Sequence, residues 1–242
     1  MPRASAARRH ARPTGARAPA AEAGAPGHVE SLVSDPRLVE ERRGQVVRAA
    51  VKLFSAQGYY TTTIQQIARE AGISTGLVYQ YFRDKDDVLL LALMLVLDSY
   101  EHEIPRQLEG IEHPVERLCQ AIRTYCTIVD RWRDATLLTY RSTKSLRAER
   151  RTLIMEGETR TNRILEGCIR ACVEAGHMHP VNEQLLAYSH VMFCHAWALK
   201  AWHFRARMTV EQYVDRNLAL LLNPLLTASG RRENIRLVVP PR

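Results

Sequence analysis

Between Ala71 and Phe82 the chain reads AGISTGLVYQYF, which sets Ser74, Thr75 and Gly76 just ahead of Tyr79, Gln80 and Tyr81. Hydroxyls and the free N–H groups of a helix start donate to phosphate oxygens, and a glutamine amide can pair with a base edge in the major groove of DNA. A solvent-facing helix ordinarily carries Glu and Lys at such positions, whereas this one carries hydroxyls, an amide and a glycine. Gly76 removes a side chain where a backbone would approach the groove. Val78 and Phe82, four residues apart, are left to face a core, with Leu77 nearer the edge. The plainer reading of the same residues is an ordinary capped helix whose tyrosines pack on a neighbour.

The flanking sequence must position this segment. Asp35 can cap a helix with Pro36 in its first turn, Val47, Ala50, Val51 and Phe54 recur at helical spacing, and Gly58 supplies a stop. Thr63 with Gln66 makes a capping-box pattern, as does Thr62 with Gln65, ahead of an apolar face of Ile64, Ile67, Ala68 and Ala71. Gly72 ends that second helix and Ser74 can cap a third, so a turn of about three residues joins two short helices as in a helix-turn-helix. Asp84 can cap a fourth helix reaching about residue 104, before Pro105. Further helices are expected near 114–131, 135–143, 146–175, 181–205 and 210–222, with no strand alternation between them. The fold class is therefore all-α.

The stretch AAVKLFSAQGYYTTTIQQIAREAGISTGLVYQYFRDKDDVL resembles the DNA-binding domain of the tetracycline-repressor (TetR) family of bacterial regulators. The resemblance runs through Phe54, the Gly58-Tyr59 turn, Thr63, Ile67-Ala68, Gly72, Gly76, the Tyr79 to Phe82 group and Lys85, and covers about a fifth of the chain. It implies a homodimer whose two recognition helices enter successive major grooves of a partly palindromic, double-stranded operator. Carried over by position, Thr63 and Ser74 contact backbone at helix starts, and Thr75, Gly76 and Gln80 lie nearest bases. Tyr79 and Tyr81 hold phosphates, and Lys85 adds a charged phosphate contact. Leu77 departs from the small polar residue common at its position, which substitutes contact with a thymine methyl for a hydroxyl contact.

Composition marks a disordered Ala/Arg/Pro-rich tail over 1–34 and a basic tail over 228–242, and the resemblance implies a DNA-binding domain over 35–95, with its helix-turn-helix at about 63–82, and a larger ligand-binding and dimerisation domain over 96–227. The segment LLAYSHVMFCHAWALKAWHF is apolar nearly all round, which suits a pocket on one face and a dimer interface on the other, or a simple core helix. Lys200, between Trp197 and Trp202, can meet an anionic ligand group or extend to water. Arg141, Lys144, Arg147, Arg150 and Arg151 stand where acidic residues are sparse, which suits a phosphate-bearing effector such as an acyl-coenzyme A, or a solvated surface. Arg141, Lys144, Trp197 and Lys200 are the candidate effector contacts.

Charge and cysteines bound the alternatives. The net charge of +8 divides into +3 over 1–34, +1 over 35–95, +1 over 96–227 and +3 over 228–242, so bulk charge does not mark the DNA-reading element. Five scattered cysteines suit reduced thiols in a cytoplasm rather than a secreted disulfide scaffold. Cys168/Cys172 and His190/Cys194 have a spacing that aims two ligands one way, but no four-ligand metal set is in reach, and no cofactor is expected. The longest apolar run, VLLLALMLVL, is about half of a membrane span, so no membrane partner is expected. No nucleophile elbow, phosphate loop or HExxH pattern suggests an enzyme. The expectation is a cytoplasmic, ligand-responsive repressor that a small-molecule effector releases from its operator. The alternatives are an activator, a co-repressor-dependent regulator, or a ligand-free architectural DNA-binding protein.

Overall fold

A computed structural model describes residues 29–233, and the expected tails over 1–28 and 234–242 lie outside the described residues. Asp35 caps α1 (Pro36–Gln57) by accepting from the N–H groups of Arg37 at 3.0 Å and Leu38 at 3.4 Å. The α1 face of Val46, Val47, Ala50, Val51 and Phe54 is buried, and Gly58 closes the helix at φ 90°. The capping box of α2 (Ile64–Ala71) is the one built on Thr63, whose Oγ1 accepts from Gln66 N–H at 3.2 Å while Gln66 Oε1 accepts from Thr63 N–H at 2.8 Å. Thr62 is buried instead and donates to the Gly58 carbonyl at 2.7 Å. Gly72, at φ 71°, ends α2 in the left-handed region. Ser74 then caps α3 (Thr75–Tyr81), and Asp84 caps α4 (Lys85–Gln107).

The larger domain follows as α5 (Pro114–Arg131), α6 (Arg133–Ser142), α7 (Ala148–Glu174), α8 (Glu183–Leu199), the one-turn α9 (Ala201–Phe204), α10 (Val210–Leu221) and α11 (Ala228–Glu233). Helices α4, α5, α7 and α8 pack on one another, and α1 rests on α2, α4 and α6, so α4 belongs to both halves. Among the described residues the fold is all-α, with one isolated bridge between Met178 and Leu226, and no helix is long and apolar enough to cross a membrane.

Four boundaries differ from expectation. Pro105 lies inside the last turn of α4, where Leu108 N–H reaches back to its carbonyl at 3.0 Å and closes a tighter turn. The expected helix over 181–205 breaks at Lys200, whose φ of −118° and ψ of 30° leave the helical region, and α9 resumes after it. At the N-terminal end the expected tail stops at 34, yet Val29 is buried and residues 29–33 lie against α1 and α3. The expected basic stretch from 228 opens with α11.

A charge cluster joins the two halves. The Arg150 guanidinium at the start of α7 meets the carboxylate of Asp87, which is fully buried in the first turn of α4, and lies 3.4 Å from Asp84. Arg147 reaches Asp84 at 3.1 Å and Asp86 at 3.7 Å. Removing one member strands a buried charge, whereas an exposed arginine contributes little. Arg150→Ala is expected to lower the unfolding free energy by about 3 kcal/mol, the low end for a broken buried pair, because Arg83 N–H still donates to Asp87 at 2.8 Å. The exposed Arg141→Ala is expected to change it by less than about 0.5 kcal/mol, both read by urea denaturation.

Candidate nucleic-acid interface

The helix that carries the outward residues has only seven residues, Thr75–Tyr81, too few to be stable alone. Its first turn is closed by Ser74, whose Oγ accepts from Leu77 N–H at 3.1 Å and keeps its own hydrogen for an external acceptor. Its other end leaves carbonyls without helical partners, and these are met from outside the helix. The Gln80 carbonyl accepts from Leu32 N–H at 2.8 Å and from the Ser31 hydroxyl at 3.2 Å. The Tyr81 carbonyl accepts from Arg43 Nε at 3.3 Å, and Arg43 Nη2 also donates to the Val29 carbonyl at 2.5 Å. Arg43 is itself 5% exposed, with its guanidinium 5.9 Å from the Phe82 ring centroid. Burial lowers the Arg43 pKa while the charge of Asp87 opposes that shift.

With the helix held in this way, Ser74, Gly76, Tyr79 and Gln80 are exposed, and Thr75 is half-buried beside them. A Cβ built on Gly76 meets nothing within 4 Å, so that position is open space. Val78 and Phe82 face the core, and Leu77 is partly buried against it. Tyr81 is corrected: it is 2% exposed and belongs to the core, so it does not stand out as a phosphate-holding side chain. The plainer reading of the tyrosines thus applies to Tyr81, while Tyr79 at 47% exposure points outward. Lys85 also differs from its expected place. Its ammonium donates to the carbonyls of Tyr59 at 2.8 Å, Thr62 at 2.8 Å and Tyr60 at 3.4 Å and lies over the Tyr59 ring, so here it locks the α1–α2 turn to α4. Thr63, at the start of α2, closes its capping box.

Two residues beside this face were missed in the sequence. Tyr60, 80% exposed in the α1–α2 turn, has no periodic pattern to flag it. Arg43 does carry a signal, because it falls four residues before Val47 on the apolar face of α1.

The candidate effector contacts do not converge. Trp197 is buried and its indole N–H donates to Asp130 at 2.8 Å, Lys200 is exposed at the α8–α9 break, and Arg141 and Lys144 are exposed near the end of α6. Arg147 and Arg150 find acids contributed by α4, and Arg151 donates to the Leu146 carbonyl at 3.1 Å, so the apparent absence of acidic partners was a property of the local sequence alone. The structure shows a different grouping inside the larger domain. Tyr100 stacks on Tyr125 with ring centroids 4.0 Å apart, and the Tyr125 hydroxyl lies 3.1 Å from His195 Nε2. The Tyr140 hydroxyl lies 2.7 Å from His195 Nδ1. A neutral imidazole has one donor and one acceptor nitrogen, so one tyrosine donates to it and the other accepts. Desolvation lowers the His195 pKa to about 4 and raises those of Tyr100 and Tyr125. The buried Tyr100 hydroxyl interacts with the hydroxyls of Tyr125 and Thr136, which extends the polar chain inward. The five cysteines are free and buried, with Cys172 pushed up to about 12 by burial, and no group of three or more potential metal ligands gathers among the described residues.

Residues 46–92 match the family model for bacterial regulatory proteins of the tetR family, and residues 112–224 match that for a tetracyclin repressor-like C-terminal domain. Over 203 residues the chain is 64% identical to the HTH-type transcriptional regulator HbdR of Aromatoleum sp. (strain CIB), spanning 84% of this chain and 89% of that one. The fold is shared with the TetR family transcriptional regulator PfmR from Thermus thermophilus, with a TM-score of 0.65 at 22% identity over 73% of this chain and 96% of that one. It is also shared with AibR in complex with isovaleryl coenzyme A and operator DNA, with a TM-score of 0.64 at 23% identity over 74% and 97% of the two chains.

Three outcomes follow from the site geometry. Tyr79→Ala is expected to lower affinity for specific and scrambled duplexes alike, whereas Gln80→Ala narrows the gap between them by about 1–3 kcal/mol. Tyr81→Phe leaves both affinities within about twofold, because the ring stays in the core. Fluorescence anisotropy on the two duplexes reads all three. For His195, a folded pKa below the unfolded value near 6.5 means that the unfolded chain binds the proton more readily. Stability is then whole above about pH 6.5 and falls as the pH drops toward 4, and His195→Gln is expected to flatten that slope in urea unfolding series.

Proposed function

Because this chain belongs to the tetR family of bacterial regulatory proteins and is a DNA-binding transcriptional regulator, we propose that it is a homodimeric repressor that a hydrophobic acyl thioester releases from a partly palindromic operator. The observation that carries this reading is the outward face of α3, with Ser74, Gly76, Tyr79 and Gln80 exposed on a helix pinned at both ends. Ser74 and Tyr79 serve the phosphates, and Thr75, Gly76 and Gln80 lie nearest the base edges. Thr63 approaches the backbone at the start of α2. The protein acts on the bacterial nucleoid in the cytoplasm and carries out no catalysis.

Dimerisation is supported by apolar side chains left exposed on the last two long helices. On α8 these are Leu185, Tyr188, Met192 and Leu199, spaced at three, four and seven residues, and on α10 Leu220 is 70% exposed. A stripe of this kind is what a helix presents to a partner helix.

Release is supported by the interior of the larger domain and by its connection to α3. The hydroxyls of Tyr100 and Thr136 beside the Tyr125–His195–Tyr140 chain can turn from one another to an entering ligand's carbonyl. AibR, a relative in fold, is described in complex with isovaleryl coenzyme A, which favours the thioester class here. A ligand that wedges α7 from α4 would act on the Arg150–Asp87 contact, which lies in the first turn of the helix that follows the recognition helix. It shifts the equilibrium only by its difference in affinity for the two geometries.

Replacing both Leu185 and Met192 by Glu is expected to give a monomer in analytical ultracentrifugation whose operator affinity drops to that for scrambled DNA. Addition of short-chain and aromatic acyl-coenzyme A compounds to the wild-type complex is expected to lower its anisotropy. A rise in operator affinity would instead make the ligand a co-repressor.

A further inference from the structure

Two charged clefts on the surface of the described residues differ in what already holds their cations. In the first, between the α3–α4 turn and the start of α7, Arg83, Arg147 and Arg150 are all ion-paired with Asp84, Asp86 or Asp87. The second, of about 370 Å³, lies between α1 and the α5–α6 junction and gathers Arg48, Lys52, Arg131, Arg133 and Arg205. Its two carboxylates do not neutralise these five cations. Asp130 accepts the indole N–H of Trp197, and Asp134 lies only within 3.8 Å of Arg133. Lys52 and Arg131 have partners in Glu70 and Glu103. Arg48 on α1 and Arg205 after α9 make no ion pair among the described residues, and both are exposed.

The cleft also holds an aromatic surface. Trp132, between α5 and α6, lines it, and its indole N–H is buried without a hydrogen bond among the described residues. Two unpaired guanidiniums and a partly exposed aromatic face together match a phosphate attached to a planar base. Arginine forks bind phosphate oxygens bidentately and the indole offers a surface for stacking.

We propose that this cleft binds the nucleotide head of the effector, the adenosine 3′,5′-bisphosphate portion of a coenzyme A thioester, an assignment that rests on the thioester reading above. Helix α6 connects the two parts of such a ligand. Its first residues, Arg133 to Ala135, line the cleft, while Thr136 and Tyr140 further along reach the polar interior where the acyl group would sit. One wall of the cleft is α1, so a bound head contacts the DNA-binding domain and the larger domain together. The Ser55 hydroxyl, which donates to the Asp134 carbonyl at 3.2 Å, marks the same seam.

The test is calorimetric titration of the full chain with adenosine 3′,5′-bisphosphate, in wild type and in Arg48→Glu, Arg205→Glu and Trp132→Phe, with the exposed Arg106→Glu as a charge control and thermal unfolding to confirm folding. The two arginine variants lie on different elements, so misfolding of one leaves the other informative. Expected is binding that each arginine variant weakens by about tenfold or more and that Arg106→Glu leaves within about twofold. Absence of binding, or equal affinity in wild type and both arginine variants, overturns the assignment. Operator release by an acyl-coenzyme A that is identical in wild type and Arg205→Glu also overturns it, while the thioester reading survives. Arginine-dependent binding of the bisphosphate with no effect of any acyl-coenzyme A on operator affinity upholds the cleft and refutes that reading.

Discussion

A helix of seven residues has too few internal hydrogen bonds to persist in water, and in this protein the residues suited to reading DNA stand on such a helix. Its geometry is therefore imposed from outside. Ser74 closes the first turn, and the carbonyls at the far end are taken up by Leu32, Ser31 and the buried guanidinium of Arg43. One side chain of α1 thus joins the segment at Val29, the end of the recognition helix and the Phe82 ring. The direction in which Tyr79 and Gln80 point follows from how α1 is seated.

The seating of α1 is in turn a property of the whole molecule. Helix α4 starts one turn after the recognition helix and runs into the larger domain, where α5 and α7 pack on it. At its start the buried carboxylate of Asp87 faces Arg150 from α7, flanked by Asp84, Asp86 and Arg147. Buried ion pairs add little net stability over apolar packing, but their strict geometry favours one register between the elements that carry them. A contact of that kind at the joint between two domains is suited to distinguishing two arrangements.

The interior of the larger domain repeats the contrast between apolar packing and a few demanding polar groups. Leucines, valines and cysteines fill most of it, yet a chain of hydroxyls and one imidazole crosses the space between α5, α6 and α8. Burial keeps His195 neutral at physiological pH, so the chain links groups by hydrogen bonding rather than by charge. The unpaired cations lie outside this interior, at the seam with α1. A ligand with an apolar end and a charged end would find both environments along the single helix α6.

The amino-acid sequence by itself determined the helices and their caps, because capping and periodicity are local. Asp35, Thr63, Ser74 and Asp84 cap the helices expected of them, and Gly58 and Gly72 end theirs. The outward set on α3 was legible for the same reason, since its residue types are wrong for an ordinary solvent face. Only the tertiary structure decided which tyrosine faces the core, since that depends on how α3 is seated on α1 and α2. It likewise decided that Lys85 is held by three carbonyls and that Arg147 and Arg150 have acidic partners, because those partners lie about 25 and 60 residues away in sequence. Periodicity reports which side of a helix is buried, but the partner of a charge is set by distances between elements that no local pattern encodes.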